Sequence, residues 1–175
     1  MPDRQLLLLR HAKAEIGEHE LRDIDRPLAA RGRRAAERIG RYLAEHDLVP
    51  DLVLCSPARR TRETWEIAAR ALPPVKSLFP DSLYDFGDGS ALLDAIRKDA
   101  EGVRRLLLVT HNPATQALAL RLSGSAPARQ RRQMAEKYPT AGLAVFTFPG
   151  RDWAQTAAGA GHLAAFIRPR DLMEE

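Results

Sequence analysis

The sequence predicts an α/β fold, a three-layer αβα sandwich around a mostly parallel sheet of about six strands. Three observations predict it. Leu6–Leu9, Leu52–Cys55 and Leu106–Val109 are continuous apolar runs of strand length. Strands that are apolar on both faces must be covered on both faces, as in parallel sheets flanked by helices. Amphipathic stretches alternate with these runs. The length of 175 residues suits a single domain spanning 1–175, large enough to bury a core without disulfide or metal.

The elements follow in order. Leu6 to Leu9 is the first strand. From Arg31 to about Glu45, residues Ala35, Ala36, Ile39, Tyr42 and Leu43 recur at helical spacing. Asp51 to Cys55 is the second strand. It stops at Ser56-Pro57, read as an N-cap and first turn of a helix to about Ala71. Val75 to Leu78 is a weaker strand. The turn-rich stretch Asp85 to Ser90 leads into a short helix to about Lys98, with Ser90 as its cap. Leu106 to Val109 is the third clear strand, and a helix to about Leu122 follows Pro113. Gly124 to Arg132 reads as a basic loop. Leu143–Phe148 and Leu163–Ile167 are late strands, expected to form an antiparallel edge.

Composition removes several function classes. The chain is 45% apolar and 29% charged, as in ordinary soluble proteins. The one cysteine, Cys55, excludes an intrachain disulfide and a cysteine-rich zinc site, and its place at a buried strand end implies an inert thiol. Arg10 interrupts the leucine run too early for a signal segment or membrane span, so a cytoplasmic protein is expected, with no membrane partner. The net charge is +4, and the 27 basic residues comprise four lysines and 23 arginines. Arginine suits bidentate oxyanion recognition. Arg129, Arg131 and Arg132 cluster, but aromatics do not interleave with them, so a solvated loop is expected and no nucleic-acid partner. Gly87-Asp88-Gly89 lacks the spacing of a phosphate loop and reads as a turn. Trp65 reads as core or interface. His19, His46 and His162 have no motif context and read as solvated or satisfied residues.

Ligands of parallel α/β sheets bind at the carboxyl ends of the strands. The residues just past the three best strands are Arg10-His11, Ser56-Pro57 and His111-Asn112. Two histidines and several arginines on one rim make an anion site that holds a nucleophile or base. Phosphoryl transfer fits: arginines neutralise the phosphoryl oxygens, and a histidine nitrogen accepts phosphorus. Flanking arginines disfavour imidazole protonation and keep the lone pair available.

The motifs resemble those of a known family. Leu8-Leu9-Arg10-His11-Ala12 is similar to the Arg-His-Gly signature of the histidine phosphatase superfamily, the phosphoglycerate-mutase-like group. Ser56-Pro57-Ala58-Arg59-Arg60-Thr61-Arg62-Glu63-Thr64 resembles its Ser-Pro-x-x-Arg-Ala-x-x-Thr segment, and Thr110-His111-Asn112-Pro113 its Gly-His-Asn-Pro segment. Arg26-Pro27-Leu28-Ala29-Ala30-Arg31-Gly32 and the brevity of the chain resemble the short SixA-type phosphohistidine phosphatases. Tyr138-Pro139-Thr140-Ala141 is also familiar from small proteins of this type. The resemblance covers about residues 5 to 123, with the motifs in order.

It implies a phosphoglycerate-mutase-like fold and a metal-independent phosphatase without cofactor. His11 would be the phosphorylated nucleophile, Arg10 and Arg60 would clamp the phosphoryl oxygens, and His111 would donate to them. Arg26, Asn112 and Lys13 are candidate substrate-binding residues, each with a structural alternative: a residue beside Pro27, a supporting element, and a solvated lysine. Asp85 is the candidate general acid among Asp81, Asp85 and Asp88, if one exists at all, since the SixA-type branch is thought to lack it. Ala12 and Thr110 stand where glycines are usual, and Ala14 where a hydroxyl is common. The expected substrate is phosphohistidine on a protein. The alternatives are a small phosphate ester and, from another class, a silent phosphate-sensing or docking module; a mutase would need an insert for which the chain has little room.

Overall fold

A computed structural model describes residues 3–18, 20–150 and 152–173. Strand β1 (Arg4–Arg10) leads through a 3-10 turn at Asp23–Asp25 to helix α1 (Ala30–Glu45). Then come β2 (Leu52–Cys55), α2 (Arg59–Ala69), β3 (Lys76–Leu78), α3 (Ser90–Asp99), β4 (Arg105–Thr110) and α4 (Ala114–Leu122). The chain ends with β5 (Ser123–Ser125), α5 (Ala128–Glu136), β6 (Leu143–Phe148), β7 (Gly161–Ile167) and a 3-10 turn at Pro169–Leu172.

The seven strands form one sheet in the order β3-β2-β4-β1-β6-β7-β5. Alternate residues of the apolar runs enter opposite cores, as a period of two requires. Leu7, Leu9 and Val53 pack under α1 and α2. Leu6, Leu8 and Leu54 pack under α3, α4 and α5. That gives the three expected layers.

Three expectations need correction. The antiparallel strand is internal: β6 runs against both β1 and β7, while β5, parallel to β7, forms the edge. The expected basic loop is taken up by the end of β5 and the first part of α5. Ser-Gly-Ser offers no apolar pattern, and α5 buries only Met134, so no helical period shows in its sequence. Finally, α2 starts at Arg59 with Ala58 in the cap position, so Ser56 is not its N-cap. Ser90 is likewise the first residue of α3, behind Gly89, whose φ of 90° suits a residue without Cβ. Cys55 is fully buried, and its Sγ donates to the Ser56 carbonyl oxygen.

Candidate active site

Strands β1, β4 and β2 lie side by side and end together: Arg10 pairs with Thr110, and Cys55 with Val109. The next residues along, His11, His111 and Ser56, therefore emerge at one rim. The ladder holds them there, His11 N–H donating to the Thr110 carbonyl (3.0 Å) and Ser56 N–H to the Val109 carbonyl (3.0 Å). The two imidazoles stand 5.4 Å apart between centroids. Both are buried, as is Arg60.

The hydrogen bonds assign the tautomers. His11 Nδ1 lies 2.7 Å from the Ala12 carbonyl oxygen. A carbonyl only accepts, so Nδ1 carries the proton and Nε2 keeps its lone pair. His11 is held down at about 3, chiefly by burial; the Ala12 carbonyl opposes this, and Arg60, Arg10 and Arg26 reinforce it. His111 Nε2 lies 2.7 Å from Ser56 Oγ. Ser56 Oγ accepts from the Ala58 N–H at 3.4 Å, and His111 Nε2 is the acceptor in reach of its own proton among the described residues. The His111 proton then sits on Nδ1, a buried atom without a partner among the described residues. Burial also holds His111 down at about 3, helped by His11 and Arg60, opposed by Asp23, and helped again by Arg10. Both rings are neutral at pH 7.

The arginines are fixed by backbone and by one carboxylate. Arg10 Nη1 donates to the Tyr138 carbonyl (2.9 Å). Arg60 donates to Asp23 twice, Nη1 to the carbonyl (2.8 Å) and Nη2 to Oδ2 (3.0 Å). Tyr84 Oη donates to the same Oδ2 at 2.5 Å. Burial would raise the Asp23 carboxyl, but the bonds from Tyr84 and Arg60 outweigh it and leave it below its usual value. The Nε atoms of Arg10 and Arg60 are buried with no protein partner among the described residues. Burial, then the neighbouring Arg60, lowers the pKa of Arg10. Two desolvated guanidiniums beside two neutral imidazoles make a receptor for a multiply charged oxyanion.

Neighbouring segments brace this frame. Thr64 Oγ1 accepts from the Ala12 N–H (3.0 Å) and donates to the Arg60 carbonyl (2.7 Å). The Ala141 N–H reaches the carbonyls of Arg10 (3.0 Å) and His11 (2.9 Å). The buried Tyr138 hydroxyl donates to the Leu8 carbonyl and accepts from the Ala144 N–H (3.1 Å). Ala12 is fully buried and is not among the residues with positive φ, so no backbone strain accompanies the missing glycine. The Thr110 hydroxyl bonds Thr115 Oγ1 at 2.8 Å, which accounts for the group in place of the other glycine.

His11, His111, Arg10 and Arg60 thus converge. Arg26 joins them at longer range, since its charge depresses His11, and it lies 3.4 Å from Asp23 Oδ1. Asn112 is used within the protein: Nδ2 donates to the Tyr138 carbonyl (3.1 Å), and Oδ1 accepts from the Gln116 N–H (3.2 Å) at the start of α4. Lys13 is exposed at the rim. Asp85 turns back on its own loop, Oδ2 accepting from the Gly87 N–H (3.2 Å), and bonds neither histidine. His46 stacks on Tyr42 and His162 bonds Ser125, both on other elements. His19 lies outside the described residues.

Sequence reasoning missed Asp23, Tyr84 and Phe86. The Phe86 ring is 4.8 Å from that of His111 and the Tyr84 ring 5.5 Å, so two aromatics wall the mouth. They stand in loops, where no periodicity marks them. The signal for Ser56 is its place just after β2.

The model of the histidine phosphatase superfamily (branch 1) matches residues 6–88. The chain belongs to the histidine phosphatase superfamily. This histidine phosphatase is 35% identical to an uncharacterized Mycobacterium tuberculosis protein over 164 residues, 93% of this chain and 100% of the other. A structure assigned as phosphohistidine phosphatase SixA from Nakamurella multipartitia superposes with a TM-score of 0.84 at 27% identity, covering 97% of this chain and 98% of that one. One from Agrobacterium tumefaciens gives 0.79 at 29% identity, over 97% and 99%. The phosphoglycerate-mutase-like fold and a phosphatase activity follow.

Proposed function

We propose that this phosphatase hydrolyses phosphohistidine on proteins, without a metal ion, through a phosphohistidine intermediate at His11. The observation that carries the reading is the Ala12 carbonyl bound to His11 Nδ1, which leaves a neutral Nε2 lone pair beside Arg10 and Arg60. Nε2 attacks phosphorus, and the bond from phosphorus to the leaving nitrogen breaks. The reacting substrate is the phosphohistidine protonated on its other ring nitrogen, so the imidazole departs with that electron pair as a neutral ring. Water then attacks the phospho-His11, releasing phosphate and restoring the lone pair. Arg10, Arg60 and the Nδ1 proton of His111 balance the charge on the phosphoryl oxygens. They perform the neutralisation that a metal ion performs elsewhere.

Among the described residues Asp23 is the carboxylate whose charge reaches His111, and a nitrogen leaving group fits a site that spares no acid. An alkoxide needs a proton as it departs, whereas imidazole leaves neutral. Asp23, the carboxylate at the site, is ionised and committed to Arg60 and Tyr84. The SixA-type neighbours favour the same substrate.

The test is hydrolysis of a phosphohistidine-bearing protein beside p-nitrophenyl phosphate, with chelator present. Wild type should consume the phosphoprotein and form an acid-labile phosphoenzyme. His11→Ala should do neither, and Arg60→Ala should lose about 100- to 1000-fold in kcat. Full activity of His11→Ala would sink the nucleophile, and turnover of the aryl ester alone would replace the substrate with a phosphate ester.

A further inference from the structure

A groove of about 660 Å³ opens beside the site, between α1, the segment from Lys137 to Thr140 and the turn at Pro169–Leu172. Arg31, Arg34 and Arg38 line it from α1. Their spacing of three and four puts them on one helix face. Lys137 and Arg170 also line it, and Lys13 stands at the end near the site. Glu136 is the carboxylate among its described lining residues. Arg168 lines the groove as well and is paired with Asp171, but the other six cations make no ion pair among the described residues, whereas Arg22, Arg33 and Arg59 find carboxylates elsewhere.

The groove shares the segment after β1 with the phosphoryl site, through Lys13. Lys13 lies two residues after His11, and its carbonyl accepts the Ala29 N–H (2.9 Å) just before α1. Across the groove, the segment that presents Lys137 also offers the Tyr138 carbonyl to Arg10 and Asn112. A phosphohistidine seated at His11 therefore leaves its own polypeptide close to the cationic ladder.

We propose that this groove docks an acidic face of the phosphorylated protein, beside the modified histidine. The inference rests on the protein-phosphohistidine reading above. From Arg31 to Arg38 the helix rises about 10 Å. That is about three residues of extended chain, so a run of three or four carboxylates fits the ladder. Among the described residues the groove presents no aromatic ring on which a nucleic-acid base would stack, and this separates an acidic protein from a polynucleotide.

Two phosphohistidine peptides test the proposal, identical except for a run of glutamates or of lysines beside the modified residue. Free phosphohistidine and p-nitrophenyl phosphate complete the set. Wild type should prefer the glutamate peptide by about tenfold in kcat/KM, mainly through KM, and added salt should shrink the advantage. Arg34→Glu/Arg38→Glu should bring the two peptides within about twofold while turning over free phosphohistidine normally. Arg34→Gln/Arg38→Gln provides the milder version and should lose about threefold of the preference. Equal rates on the two peptides, or a preference that survives both variants, overturn the groove. Should wild type hydrolyse only the aryl ester, the phosphohistidine reading fails, and binding of the unphosphorylated glutamate peptide by fluorescence anisotropy decides the groove. It must weaken about tenfold in the charge-reversed variant. A single-stranded oligonucleotide that binds more tightly than the peptide, and is lost in the same variant, overturns the acidic-protein assignment.

Discussion

The proton on His111 is set by one hydroxyl, that of Ser56. Ser56→Ala removes the donor to Nε2 and leaves that buried nitrogen unpaired. One neutral hydrogen bond is worth about 1 kcal/mol, so kcat should fall about five- to tenfold, with less change in KM. A Thr at the same position keeps a hydroxyl and should restore part of the rate. The two histidines also fix the pH behaviour. Both sit at about 3, below the usual 6.5, so folding excludes protons that the unfolded chain binds. Their contribution to stability is complete above about 6.5 and is lost as pH falls from there towards 3. Urea midpoints should therefore drop steadily through the weakly acidic range. Over the same interval kcat/KM, corrected for substrate ionisation, should stay flat until the fold gives way. At this scale the sequence carried the four convergent residues, because each follows a strand or a family motif. It did not carry Asp23 or Tyr84. Asp23 meets Arg60 across 37 positions, and Tyr84 meets Asp23 across 61, both from loops.

Between elements, two glycines mark places where backbones touch. A Cβ on Gly32 would lie 2.1 Å from the Lys13 carbonyl oxygen, and one on Gly40 would lie 2.3 Å from that of Ala68. Neither clash can be relieved by turning a side chain. Gly40→Ala should separate α1 from α2 and destabilise by about 1–3 kcal/mol. Gly32→Ala strikes the loop that carries His11, so kcat should fall together with the melting temperature, which steady-state kinetics and calorimetry can separate. The motif from Arg26 to Gly32 pointed to this glycine, and the structure supplies the contact behind it. Strands β1, β2, β4 and β6 were legible because unbroken or alternating apolar residues leave few other fates. Strand β5 was not: its three residues pair at the edge of the sheet through backbone alone.

Across the whole molecule, the end of β1 away from the site has its own anchor. Arg4 is buried and donates to the carbonyls of Asp152 (2.6 Å), Gly150 (3.2 Å) and Pro149 (3.3 Å), and to Thr156 Oγ1 (3.1 Å). Its guanidinium also faces the Trp153 ring, 4.9 Å from the centroid. Arg4→Met should cost about 3 kcal/mol through the abandoned carbonyls. For a chain of this size, that is a melting shift of about 6–12 °C. Activity per folded molecule should not change, since Arg4 and His11 lie at opposite ends of the strand. The single thiol offers a way to watch such effects. Cys55 is sealed in the sheet, and burial pushes its pKa up, so an alkylating reagent finds no thiolate in the native protein. Each chain that gains the mass of one adduct would then count one opening event. Because Cys55 precedes Ser56, labelling should report when the strand end that serves His111 comes apart, giving the enzyme a built-in clock for its own unfolding.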